Sequence, residues 1–212
     1  PILFLNNGDL VSYKHSYFYV LDGNTYIVKR TVSTSLGYQE KILSRVRLLN
    51  RLFRMGVRIS FQIDDDNVLV FVNKRFYELN LVSGEIRKGF IPPKGIRALK
   101  VSHIAGVEGF EDSIVFGGYL SNRDKLSVDI YKRVSTEQWT EVYSFPIGEI
   151  NHIHNIVADK SNQCVWILTG DFDQGAAIWM AKDNFKRVDR IYSGTQDSRC
   201  CIAFPIDGKL LY

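Results

Sequence analysis

Two histidines stand one residue apart in the stretch GEINHIHNIVAD, Gly148–Asp159. Alternate residues of a β-strand point to one face, so on a strand His152 and His154 aim at the same place. A pair of imidazoles converging there could hold a divalent metal, move a proton near neutral pH or hydrogen-bond a ligand. Packing against a neighbouring strand is the competing, purely structural reading. Arginine is the second resource. Arg58, Arg97 and Arg199 open the segments GVRISFQI, GIRALKVS and DSRCCIAF, and INHIHNIV completes the set. A guanidinium stays charged and offers paired planar donors to carboxylate, sulfate or phosphate. If the four segments are equivalent strands, three arginines and the histidine pair start at matching places, and the ligand they select is an anion. Strand-end capping, or pairing with nearby Asp and Glu, is the structural alternative.

These residues give the expected site: His152 and His154 as catalytic groups, Arg58, Arg97, Gln196 and Arg199 as ligand-binding groups, and no resident cofactor. A divalent metal on His152, His154 and Gln196, with His103 as a further donor, is the alternative. The acidic turns DDDN (Asp64–Asn67) and GDFD (Gly170–Asp173) could hold calcium through oxygen ligands, although Asp and Asn are also what hairpin turns ordinarily use. The sequence has no phosphate loop, nucleotide fingerprint, nucleophile elbow or zinc-finger spacing. Its three cysteines, Cys164, Cys200 and Cys201, are odd in number with two adjacent. That is a poor disulfide framework, and they read as reduced, core-facing thiols.

The elements that must position such a site come from a repeat. Five β-rich runs, SYFYV from Ser16, VLVFV from Val68, SIVFG from Ser113, CVWIL from Cys164 and GKLLY from Gly208, begin 44–52 residues apart. Propeller blades recur at roughly 40–50 residues. Further alternating runs follow each anchor across turns such as Asn73-Lys74, Ser121–Lys125 and Gly170–Gly175, enough for three or four short antiparallel strands per unit. One segment departs from this plan. Over 38–55 the apolar positions Ile42, Val46, Leu49, Leu52 and Phe53 have helical spacing, with Gly56 as C-cap, which predicts a basic amphipathic helix between blades.

Composition agrees with a folded β protein. Hydrophobic residues make up 45% of the 212, charged residues 24%, and 11 Tyr and 13 Phe favour strands. A net charge of +4 is too small to imply nucleic-acid binding. No basic leader precedes an apolar core and no apolar run approaches a membrane span, so a soluble, cytoplasmic chain is expected. The strand-like ending DGKLLY suggests part of something longer.

The stretch HIHNIVADKSNQCVWILTGDFDQGAAIWMAKDNFKRV resembles the Asp-box, sialidase-like group of β-propellers. His152–His154, Asp159, Trp166 and Thr169–Asp171 match its pattern, followed by a degraded Asp box at Ala181–Val188 in which Asp183 survives and Phe185 holds the glycine position. SGTQDSRC and the run from SRVRLLNRLFRMG to FYELNLVSGE look like an uncharacterised bacterial subset of the same group. The resemblance implies a propeller, and relatives that bind a sugar carboxylate with clustered arginines. A sialidase-like mechanism would need a tyrosine nucleophile with a glutamate partner. Tyr13, Tyr119, Tyr192, Glu108 and Glu149 are available, and spacing selects none of them. Some propeller-fold polysaccharide lyases are similar in using histidines and a glutamine around a metal.

The expectation is thus an all-β protein, a β-propeller of four-stranded antiparallel blades, four to five in this chain with the ring not necessarily complete. Residues 1–212 would form a single propeller domain or part of one. Its function would be to bind or process an acidic glycan, or another anionic small molecule, at the channel mouth, as a glycoside hydrolase or polysaccharide lyase if it is an enzyme. A non-catalytic interaction scaffold is the alternative. Nucleic acid and a membrane span are not expected; a partner chain at an open sheet edge is.

Overall fold

A computed structural model describes residues 2–14, 17–33, 57–72, 74–172 and 175–212. The basic helix expected over 38–55 lies outside the described residues. What is described is all-β apart from a 3-10 turn at Gln196–Ser198.

The chain divides into two compact units, Pro1–Ile91 and Pro92–Tyr212. The first contains two sheets. Strands β1 (Ile2–Phe4), β2 (Leu10–Lys14), β3 (Tyr17–Leu21) and β4 (Val28–Ser33) pair in chain order, as do β5 (Ile59–Gln62), β6 (Asn67–Val72), β7 (Arg75–Asn80) and β8 (Ile86–Lys88). The second unit repeats the plan. Its sheets are β9 (Arg97–Ile104), β10 (Ser113–Tyr119), β11 (Val128–Arg133) and β12 (Trp139–Phe145), then β13 (His152–Asp159), β14 (Cys164–Gly170), β15 (Ala177–Lys182) and β16 (Arg187–Ser193). A last hairpin joins β17 (Phe204–Ile206) to β18 (Lys209–Leu211). Four antiparallel meanders of four strands are the blades of a β-propeller.

Local chemistry explains the hairpins. Asp64 Oδ1 accepts the Asp66 and Asn67 amides at 3.0 and 2.8 Å, and Asn80 Oδ1 accepts those of Val82 and Ser83 at 3.0 and 2.7 Å. Asp22 and Asp159 do the same at their own turns. These are side chains closing a turn by binding the backbone two and three residues on. The Asp64 carboxylate, a calcium candidate by sequence, is occupied by its own turn.

In three of the four sheets the last strand, β4, β8 or β16, is the most exposed. The first five residues of β13 are buried, whereas β16 is mostly exposed. Outer strands carry charge, Arg30 on β4, Arg87 on β8 and Arg187 on β16, which discourages pairing with another sheet edge. Each unit has its own apolar core. In the first it includes Val11, Phe18, Val68 and Leu79. In the second it gathers Ile104, Ile130, Phe145, Ile153, Ile156 and Trp179 from two blades.

Four of the five anchor runs are second strands of their sheets: β6, β10, β14 and β18. SYFYV instead forms β3, a third strand, because both β2 and β3 alternate and the spacing alone does not say which is the repeat's counterpart. The degraded Asp box closes the β15–β16 turn, with Asp183, Asn184 and Phe185 in succession at φ of 53°, 51° and 64°. Phe185 stays there because it is buried and meets Phe110 edge-on at 5.2 Å.

Candidate functional site

The site lies in the second unit, where β13 begins. Along β13, His152 pairs with Gly170 and Ile153 with Thr169, but Asn155 pairs with Leu168, so His154 is an extra residue in the ladder. This bulge changes the phase of the strand. Ile153 and Ile156, three apart, both enter the apolar core, while His152 and His154 face together away from it. Re-aiming a side chain is a common use of a bulge beside a functional site.

Both imidazoles are buried, at 6% and 3% exposure. His152 Nδ1 lies 3.1 Å from the Leu120 carbonyl, just past the end of β10, and His154 Nδ1 lies 3.0 Å from the Cys200 carbonyl. Their Nε2 atoms are 3.1 Å apart. The Asp171 carboxylate faces both, Oδ2 at 3.1 Å from His152 Nε2 and Oδ1 at 3.2 Å from His154 Nε2. Among the described residues these three form a group whose ligand atoms all lie within 4.8 Å. The cradle is tight: a Cβ on Gly170 would fall 2.3 Å from His154 Cε1.

Each partner is held by its neighbours. Asp171 follows β14, and the Thr169 hydroxyl fixes the turn, lying 2.8 Å from the Gly175 carbonyl while accepting the Trp179 indole N–H at 3.0 Å. Arg199 follows the 3-10 turn, which the buried Ser198 hydroxyl ties to the Ala176 carbonyl at 2.6 Å. Its Nε donates to Asp171 Oδ1 at 3.2 Å. Arg97 begins β9 directly across from Tyr119 and lies 5.7 Å over that ring. The Tyr119 ring in turn is 4.4 Å from His152. Cys201 is exposed rather than core-facing, its Sγ 3.5 Å from His154 Nδ1, while Cys164 and Cys200 are buried as expected.

The electrostatics follow from this packing. Burial pushes the His152 imidazole below its ordinary value, an effect Asp171 only partly offsets. Burial alone would raise Asp171, but His152, His154 and Arg199 together hold its carboxyl below the ordinary range. Arg97 and Arg199 outnumber the single Asp171 carboxylate, so the cluster carries a net positive field whatever the imidazoles hold.

Of the residues singled out by sequence, the structure brings His152, His154, Arg97 and Arg199 into one connected cluster. Gln196 is exposed in the 3-10 turn, its carbonyl accepting the Arg199 amide at 3.1 Å. Arg58 belongs to the first unit, where its amide donates to the Phe71 carbonyl at 3.0 Å. His103 sits towards the other end of β9 from Arg97 and pairs with Asp112 at 2.5 Å. Asp171 and Tyr119 complete the cluster. Sequence had placed the first in an acidic turn and in the Thr169–Asp171 motif, without tying it to the histidines, and the second only among the available tyrosines.

No family model and no curated protein matches the chain. Solved structures do, at low identity. The extracellular domain of BT4673 from B. thetaiotaomicron aligns with a TM-score of 0.58 and 11% identity, over 92% of this chain and 22% of its own. BamB from Moraxella catarrhalis gives 0.52 and 11%, over 99% and 52%, and the Mitotic Checkpoint Complex 0.52 and 10%, over 94% and 54%. The chain therefore spans about a fifth to a half of the structures it resembles. BamB and the BT4673 domain are β-propeller-like, and together with the four-stranded blades they define this chain as a β-propeller. Among the described residues no helix is long and apolar enough to cross a membrane.

Proposed function

We propose that this is a carbohydrate-associated β-propeller that binds an acidic glycan, at a site formed by Arg97, Tyr119, His152, His154, Asp171 and Arg199. The observation that carries this reading is the connected cluster itself: two guanidiniums flank a buried imidazole pair, with a half-buried tyrosine ring between Arg97 and His152. Guanidinium forks match a sugar carboxylate, an aromatic face suits a pyranose, and the net positive charge selects an acidic chain. A neutral imidazole beside the bound carboxylate is also the group a proton-abstracting reaction on a uronate would require. In the same reading residues 1–212 are one propeller domain or part of one, and the Asp-box, sialidase-like resemblance describes its ancestry.

The test is calorimetric titration with oligogalacturonate, sialyl-lactose and a neutral oligosaccharide of equal length. Binding of an acidic member is expected, weakened about tenfold, or ~1.4 kcal/mol, by Arg97→Ala or Arg199→Ala. Arg58→Ala and Gln196→Ala, run beside them, read whether those residues share the site. Equal binding of the neutral sugar, or acidic-sugar binding unmoved by both Arg97→Ala and Arg199→Ala, refutes the proposal.

A further inference from the structure

We propose that His152, His154 and Asp171 form a binding site for a divalent first-row transition ion of the Zn(II) type, with Asp171 as the third ligand. The inference stands on the hydrogen-bond geometry alone and holds whether or not the ligand is a glycan. A carbonyl oxygen only accepts, so the contacts of His152 Nδ1 with Leu120 O and of His154 Nδ1 with Cys200 O require a hydrogen on both Nδ1 atoms. With its hydrogen on Nδ1, a neutral ring presents a bare lone pair at Nε2. Those two lone pairs face each other at 3.1 Å, and carboxylate oxygens face them at 3.1 and 3.2 Å. In neutral rings these acceptors converge on one buried point, an arrangement that a metal cation stabilises.

A proton on one Nε2 satisfies a single line of contact, to the other ring or to the carboxylate, and leaves the remaining lone pairs opposed. A metal ion satisfies all of them. With bonds of ~2.0–2.1 Å, ligand atoms lie about 3.3 Å apart around a tetrahedral ion and about 2.9 Å apart around an octahedral one. The observed 3.1–3.2 Å falls between these values. The surroundings agree: metal-bound imidazoles usually donate their other N–H to a carbonyl or carboxylate, and both rings here do. Arg199 fixes the Asp171 carboxylate in the same way. Two nitrogens with one oxygen favour Zn, Fe, Co or Ni over Ca or Mg. The Cys201 thiol stands at Nδ1 and not at Nε2, so it belongs to the supporting layer. Three protein donors leave at least one position open, and an anionic ligand would complete it.

The experiment uses the chain stripped with chelator and no sugar, titrated with Zn(II) by calorimetry and with Co(II) by ligand-field absorption. One ion per chain is expected, with thermal stabilisation by Zn(II). His154→Ala and Asp171→Asn should each weaken binding by about 100-fold or more, while His103→Ala leaves it unchanged. Asp171→Asn keeps the shape of a partly buried side chain, so its folding, followed by urea denaturation, separates lost affinity from lost structure. Failure of Zn(II), Co(II), Ni(II) and Mn(II) to bind up to millimolar concentration overturns the inference, as does binding that survives both His154→Ala and Asp171→Asn. Metal binding without acidic-glycan binding would sink only the proposed function.

Discussion

Replacing Gly170 by alanine isolates the packing of the histidine pair. Gly170 does not have the left-handed φ that by itself favours glycine, so the backbone accepts alanine and only the new Cβ matters. That atom would fall 2.3 Å from His154 Cε1, about 1.2 Å inside the ~3.5 Å at which carbon atoms pack. The ring is held at Nδ1, 3.0 Å from Cys200 O, with its Nε2 facing His152 Nε2 at 3.1 Å, and it cannot retreat that far while keeping the Cys200 hydrogen bond. Overpacking of a dense core costs about 1–3 kcal/mol and a lost hydrogen bond about 1 more. Gly170→Ala should therefore cost about 3 kcal/mol, or on the order of 6–12 °C in Tm for a chain of this size. Gly148→Ala is the matched control, since its φ of +92° makes alanine strained while no atom lies within 4 Å of the new Cβ. Urea unfolding measures the two stabilities, and imidazole nitrogen NMR shifts report the ring. If Gly170→Ala lies within 0.5 kcal/mol of the parent, roughly the scatter of surface substitutions, with unchanged imidazole signals, the tight cradle is wrong.

Asp159 is fully buried and its carboxylate accepts from Ser161 N, Asn162 N, Asn162 Nδ2 and Trp166 Nε1 at 2.8–3.0 Å. Asp159→Ala should cost about 3 kcal/mol by urea denaturation, against near zero for the exposed Glu137→Ala. Burial would raise this carboxyl, but the hydrogen bonds from Trp166, Asn162 and Ser161 hold it below the ordinary value of 3.8. Its contribution is therefore complete above that value and lost as pH falls through the lower folded one, and Asp159→Asn should flatten the acid limb of the stability profile. At Phe185, glycine would relieve about 1–2 kcal/mol of left-handed strain while forfeiting some 3–5 kcal/mol of burial. Phe185→Gly should then destabilise by about 2 kcal/mol in the same assay, and a gain in stability would show that strain dominates. Burial pushes the Cys164 and Cys200 thiols up to about 11, and only Cys201 is exposed. A disulfide reagent should titrate one thiol quickly in the native chain and all three in denaturant.

The blades were legible because period-two alternation and a recurring spacing are local properties of a chain. Their phase was less so: β2 and β3 alternate equally well, and only the ladder shows which one follows a first strand. His152 and His154 could be read as a pair because two residues apart on a strand share a face. Asp171 could not be assigned to them, since an acidic residue in a turn looks the same whether it binds its own backbone, as Asp64 does, or reaches back across a hairpin. The bulge that decides this leaves one trace in the sequence, the three-residue interval between Ile153 and Ile156 where plain alternation would give two. Arg97 and Arg199 were placed by matching segments, but Arg199 follows a 3-10 turn and not a strand end, so its position there depends on the buried Ser198.

The extra residue in β13 also separates the blade from what it carries. On either side of His154 the ladder resumes without a gap in its partner, Thr169 and Leu168 being consecutive. Deleting that one histidine would leave an unbroken hairpin with Ile153, Asn155 and Ile156 in ordinary alternation. One codon thus carries both the bulge and the second imidazole, and the hairpin beneath has a continuous ladder with or without it.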